Sequence, residues 1–142
     1  EEVGVEMVPL DDLAARSDFI TVNCDLNPTS FHLINAGLIQ KMRSSVVIIN
    51  TARGPIIDQP ALESALQSGK VAGAALDVFE DEPLPADSPL LKMDQVMLAP
   101  HNSNSSPRAW EAVHWNTIRN LLDGFNMSAA MLEKMQSEDF ER

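Results

Sequence analysis

Cysteine is nearly absent from this chain: of 142 residues only one, Cys24, is a cysteine. No disulfide can form within it, and nothing points to a secreted scaffold, so a reducing cytoplasm is the expected compartment. Positive charge is scarce as well. Ten Lys and Arg stand against 21 Asp and Glu, a formal net charge of -11. Phosphate binding needs clustered Lys and Arg, which argues against nucleic acid as a partner, and the acidity is read as serving solubility. No apolar run approaches the length of a membrane span, and Glu1-Glu2-Val3-Gly4 is not a signal peptide, so no membrane is expected either. Three His and one Cys show no metal-ligand spacing, and no metal is expected. The chain has no internal repeat and no low-complexity segment. The sequons at Asn104 and Asn126 are put down to chance.

What is present is ordinary for one folded domain: 44% hydrophobic and 22% charged residues, in a chain long enough for a core. Short apolar runs alternate with helical patterns. Phe19 to Val22 reads as a strand. Asn35 caps a helix over Ala36 to Met42, with Leu38, Ile39 and Met42 on one face. Val46 to Ile49 is a second strand. Asp58 and Pro60 start a helix whose inner face is Leu62, Ala65 and Leu66, and Gly69 ends it. Val71 to Val78 is a third strand and Val96 to Ala99 a fourth. Residues 83 to 89 (PLPADSP) read as a surface loop. Ser106 and Pro107 open a long helix carrying Trp110, Val113, Thr117, Leu121 and Phe125. Strand-helix alternation predicts an open α/β parallel sheet, and the continuous apolar runs predict strands covered on both faces.

Each strand ends in polar residues. Val22 leads to Asn23-Cys24-Asp25, and Ile49 to Asn50-Thr51-Ala52-Arg53-Gly54. Leu76 leads to Asp77 and then Glu80-Asp81-Glu82-Pro83, and Ala99-Pro100 to His101. Parallel strands share one polarity, so these ends lie on one edge, where ligands of such sheets bind. A guanidinium holds a carboxylate through two parallel bonds. An imidazole gives or takes a proton near neutral pH, and a neighbouring carboxylate orients it. Arg, His and Glu together suit reduction of a 2-oxo acid. No side chain donates hydride, so that chemistry requires a nicotinamide cofactor.

"INTARGPIID", "GAALDVFEDEPLP" and "LAPH" resemble three successive signatures of the D-isomer-specific 2-hydroxyacid dehydrogenases, the group that includes phosphoglycerate dehydrogenases and glyoxylate/hydroxypyruvate reductases. "LINAGLIQKM" resembles a fourth. The match runs from about residue 10 to residue 125. The resemblance implies that Arg53 binds the substrate carboxylate and polarises its keto group. It implies that His101 is the acid in reduction and the base in oxidation, paired with Glu82. It places Asp77 beside the nicotinamide carboxamide, and Asn23, Cys24, Asp25, Thr51, Ala52, Arg53 and His101 along the nicotinamide half of NAD or NADP. The sequence departs from the family pattern at Asp25, where Pro is common, at Asn27, where Thr is common, and after His101, where Asn-Ser-Asn-Ser-Ser replaces apolar and small residues.

Such a family also needs a G-x-G-x-x-G turn for the pyrophosphate, and none of the six glycines forms one. The acidic residue that reads the adenosine ribose is missing too. The expected fold is therefore a partial doubly wound Rossmann-type sheet lacking its first βαβ unit: residues 1–125 as the nicotinamide-side half of a truncated domain, and 126–142 as a tail helix with Met127, Met131, Leu132 and Met135 at helical spacing. The strand at Phe19 would be a bare edge, predicting a homo-oligomer or poor solubility. The tail could fray, pack across a dimer or cover the gap. Activity of the chain alone, the identity of the 2-hydroxy acid and the choice between NAD and NADP stay open. The rival functions are a dinucleotide-sensing module of the corepressor type and an inert fragment.

Blander readings apply elsewhere. Glu80 and Asp81 read as part of a solvated acidic run, with Glu82 set apart by its place before Pro83. His32 and His114 read as capping or helix-surface residues, the two Trp as packing or interface anchors, and Cys24 as a small buried hydrophobe.

Overall fold

The computed structural model describes residues 4–103 and 105–124. The chain forms two compact units, Glu1–Ser103 and Asn104–Arg142. In the first, the order is α1 (Leu10–Arg16), β1 (Phe19–Val22), α2 (Ala36–Lys41), β2 (Val47–Asn50), α3 (Gln59–Gln67), β3 (Gly73–Leu76) and β4 (Val96–Leu98). The strands form one parallel sheet in the order β1-β2-β3-β4. This is the expected α/β, Rossmann-type architecture. Element ends differ from the sequence reading by a residue or so at most places, as helix and strand ends do. The third strand is shorter than expected, yet the ladder continues past both its ends: Ala72 N–H bonds Val46 O, and Asp77 N–H bonds Asn50 O.

Helix α1 went unforeseen. It has seven residues, and Pro9 before it offers no side-chain cap. Tertiary contacts hold it: Ala14 is fully buried, and Asp11 pairs with Lys41 at the end of α2, the sheet's first crossover helix. The caps of the other helices are local. Asn35 Oδ1 accepts Leu38 N–H at 3.1 Å, and Asp58 Oδ1 accepts Ala61 N–H at 3.1 Å.

Within the first unit, α2 and α3 pack on one face of the sheet. Successive residues of β1 alternate between exposed and buried, and those of β2 between half-buried and buried. Register puts Thr21, Ile49, Ala75 and Met97 in one row. At the ends of this face Phe19 is 70% and Met97 73% exposed. The opposite face, with Ile20, Ile48, Ala74 and Leu76, is buried in one cluster with Leu38, Ile39, Leu62 and Leu66. The reason is the strand order. Strands added in sequence order with crossovers of one hand bring α2 and α3 to the same side. Each large side chain buried there, Ile48 for example, contributes roughly 1.5–3 kcal/mol. Sheet edge β1 has no partner on its outer side among the described residues.

The second unit contributes α4 (Pro107–Gly124), opened as expected by Ser106, whose Oγ accepts Ala109 N–H at 3.1 Å. Trp110, Val113 and Leu121 are each more than half exposed, and the Trp110 ring lies 5.6 Å from that of His114. Phe125 and the expected tail helix over 126–142 lie outside the described residues. Among the described residues no helix is long and apolar enough to cross a membrane.

Candidate active site

The exits of the four strands build the site, each held by its own local device. At the end of β2, Asn50 is 1% exposed and grips the turn that follows. Its Nδ2 donates to Arg53 O at 2.9 Å, and its Oδ1 accepts Ala52 N–H at 3.0 Å. Sequence reading named Asn50 only as a polar strand end. The signal was available: a polar residue continuing a buried apolar strand must have its hydrogen bonds met inside. Arg53 lies exposed beyond this turn, with Nη1 donating to Ala52 O at 2.7 Å.

Gly54 answers why a glycine follows that arginine. A Cβ there would lie 1.8 Å from Phe79 O and 1.9 Å from Phe79 C. Only a residue without a side chain lets the turn after β2 press against the loop after β3. That loop reaches every neighbouring exit. Asp77 takes the N–H groups of Asn102 at 2.8 Å and Ser103 at 2.9 Å. Glu80 reaches His32 and the first turn of α3. Glu82 reaches His101.

The Glu82–His101 contact is the centre of the site. Nδ1 of His101 lies 2.7 Å from Oε2 of Glu82, while Oε1 accepts Phe79 N–H at 2.9 Å. The hydrogen bond from His101 holds the Glu82 carboxyl below the usual glutamate range, helped by the Phe79 N–H and opposed by burial. An ionised carboxylate only accepts, so Nδ1 carries the proton and Nε2 remains to give or take one. His101 has φ 55°, a left-handed conformation costing about 1–2 kcal/mol for a residue with a Cβ. For Asp77, burial pushes the carboxyl up. The bonds from Asn102 and Ser103 and the His101 charge outweigh it, leaving Asp77 below the usual range.

At the end of β1, Asn23 Nδ2 donates to Thr21 Oγ1 at 3.2 Å. The two positions that depart from the family pattern here are bonded to one another: Asn27 Nδ2 donates to Asp25 Oδ2 at 3.0 Å. Cys24 is exposed, not the buried hydrophobe expected, because the strand has already ended and the chain turns outward. Asn23, Cys24, Asp25, Thr51, Ala52 and Arg53 line one open cleft of about 620 Å³. Glu82 and His101 line another, of about 560 Å³, with mainly apolar walls from Leu84, Leu91, Leu98 and Pro100. Asp77 is buried behind them. The sequence-predicted residues are thus divided between two clefts and one buried anchor.

Glu80 is not a solvated charge: Oε1 lies 2.7 Å from His32 Nε2, and Oε2 accepts Gln59 N–H at 3.2 Å. His32 is its partner, stacked on Phe31 with ring centroids 4.0 Å apart.

Residues 1–103 match the NAD binding domain of the D-isomer specific 2-hydroxyacid dehydrogenases. A glyoxylate reductase of Korarchaeum cryptofilum is 45% identical over 106 residues, covering 75% of this chain and 32% of its own. Among solved structures, a glyoxylate reductase from Paecilomyes thermophila superposes with a TM-score of 0.79 at 40% identity, over 84% of this chain and 36% of that one. A D-isomer specific 2-hydroxyacid dehydrogenase from Xanthobacter autotrophicus Py2, in complex with NADPH and MES, has a TM-score of 0.64 at 44% identity, over 65% and 30% of the two chains. The chain belongs to the D-isomer specific 2-hydroxyacid dehydrogenase family. It spans about a third of the length of these relatives.

The cofactor class is accordingly NAD or NADP. The open cleft at the exits of β1 and β2 carries hydrogen-bonding side chains, Asn23, Asp25, Thr51 and Arg53, of the kind that an amide or a ribose needs. No G-x-G-x-x-G turn is present for the pyrophosphate.

Proposed function

We propose that this chain carries the nicotinamide side of the site of an NAD(P)-dependent 2-oxo acid reductase, with His101 as acid in reduction and base in oxidation. The observation that carries this reading is the 2.7 Å pair of His101 Nδ1 and Glu82, which leaves Nε2 as the proton carrier. Arg53 takes the substrate carboxylate through its planar fork and draws electron density from the adjacent carbonyl. Glu82 keeps the imidazole in one tautomer and one orientation. Asn23, Cys24, Asp25, Thr51, Ala52 and Asp77 hold the nicotinamide end. The dinucleotide, when bound, supplies the hydride. The glyoxylate reductases among the relatives make small 2-oxo acids, glyoxylate first, the substrates to try. Residues 1–125 are read as this half-domain, in a reducing cytoplasm that suits the exposed Cys24 thiol. The unpaired edge of β1 and its exposed Phe19 support self-association.

The test is an NADH titration of the purified chain by calorimetry, followed by a 2-oxo acid panel. A Kd tighter than about 0.1 mM, roughly -5.5 kcal/mol, with turnover of glyoxylate supports the reading. Binding without turnover of any 2-oxo acid would point to a dinucleotide sensor. No binding at millimolar NADH would mean that the isolated chain is inert. Size-exclusion chromatography checks the edge: a soluble monomer overturns the self-association.

A further inference from the structure

Asp77 is the most deeply buried acid beside the reacting pair, only 4% exposed, and it forms no ion pair among the described residues. Instead Oδ1 accepts the N–H of Asn102 at 2.8 Å and Oδ2 that of Ser103 at 2.9 Å. These are the two residues that follow His101, and His101 is the residue at φ 55°. A side chain persists in that conformation only where its surroundings over-determine it. Two charge-assisted bonds to the next two amides supply that constraint, because ionised acceptors make the stronger bonds. Asn102 and Ser103 are themselves exposed, so little packing of their side chains could fix the turn.

The geometry points to Asp77 as a positioning residue: its carboxylate clamps the turn after β4 so that His101 presents Nδ1 to Glu82. The clamp deepens the reading of His101 as acid and base and rests on it. It goes beyond the expected contact of Asp77 with the cofactor, and it acts before any cofactor is bound. Each oxygen of a carboxylate has a second lone pair, so the clamp does not exclude that contact.

The experiment uses the cofactor-free chain. Amide hydrogen exchange is followed at Asn102 and Ser103, and the Glu82 carboxyl is titrated by carbon NMR, in the wild type, Asp77→Asn and Ser103→Pro. The clamp predicts exchange about tenfold faster in Asp77→Asn at whichever of Asn102 and Ser103 comes to face the new NH2, since that N–H loses its acceptor. It also predicts that the Glu82 midpoint climbs back towards the usual glutamate value as His101 leaves it. Ser103→Pro removes the Ser103 N–H and hydroxyl, both donors to Asp77, while leaving the carboxylate in place, and should move Glu82 in the same direction. It decides the matter if Asp77→Asn does not fold. A folded Asp77→Asn with unchanged exchange and an unchanged Glu82 titration overturns the clamp, even if its NADH affinity falls. A shifted Glu82 titration in a chain that binds no NADH supports the clamp and counts against the proposed reductase site of the isolated chain.

Discussion

Glu80 and Glu82 leave the same loop, two residues apart, and each meets a histidine at 2.7 Å. Both histidines have positive φ, 48° at His32 and 55° at His101. The resemblance ends there. His32 gives Nε2 to its glutamate, whose other oxygen caps the first turn of α3 through Gln59 N–H. Its own N–H bonds Pro55 O, and its ring is covered by Phe31. That pair joins the loop after β1 to the loop after β3 and to the first turn of α3. His101 gives Nδ1, and its glutamate's other oxygen folds back on Phe79 of the same loop. The second pair is also the more open, with side chains 46% and 37% exposed against 31% and 28%. A histidine–carboxylate contact is therefore not itself the mark of a reacting site. Each ring keeps one nitrogen without a partner, so it is exposure, and the open cleft that His101 and Glu82 line, that separates a fastening from an acid–base pair.

That contrast breaks most sharply if the two histidines prove interchangeable. His101→Gln should lower kcat/KM for glyoxylate reduction by about 10²–10⁴-fold, with at most a small fall in Tm from the lost bond to Glu82. His32→Gln should leave the rate within about threefold, since it touches no reacting group. Steady-state assays of the two variants side by side decide it, and a comparable loss in both would sink the distinction.

Gly54→Ala tests whether one loop truly governs both pairs. Its Cβ would fall 1.8 Å from Phe79 O, so the loop carrying Glu80 and Glu82 must move bodily. The expected loss is about 3 kcal/mol, read from urea unfolding, with both histidine contacts disturbed in the NMR spectrum.

Glu82→Gln sharpens the comparison through pH. The folded-state pKa of Glu82 is depressed, so its contribution to stability is present above the usual glutamate value and lost as pH falls through the folded value. Asp77 has the same sign. Stability should therefore fall with acid between about pH 5 and 3, and less steeply in Glu82→Gln. Urea midpoints across that range check it; equal slopes would show the pair to be unimportant in the folded state. The smallest effect is the stability change in His32→Gln, about 1 kcal/mol for a half-buried charge-assisted bond, measured as a shift in Tm.

Much of this architecture was legible beforehand. Alternating strands and helices, the caps at Asn35 and Asp58, and the inner faces of α2 and α3 follow from periodicity and local hydrogen-bonding capacity. The seven residues of α1 were not legible, because their helix depends on Ala14 and Asp11 finding partners elsewhere. Nor was the placing of α2 and α3 on the same face of the sheet: apolar runs in β1 and β2 look the same whichever face a helix takes. Glu80 was misread for a related reason. An acid among acids looks solvated until a histidine from another segment arrives.

By itself the sequence determined which residue types stand at the strand ends. It also determined that they share one edge, because parallel strands joined by helices have a single polarity. Arg53 and His101 could be picked out on that ground, and Glu82 only by its place before Pro83 and the family resemblance. Only the tertiary structure decided which glutamate meets which histidine, how closely Gly54 approaches Phe79, and that Asp77 turns towards the amides after His101. The partners in these contacts stand 19 to 48 residues apart. Propensity and spacing act over a turn or two of chain. Distances of that kind are set by packing the loops against one another over a common core.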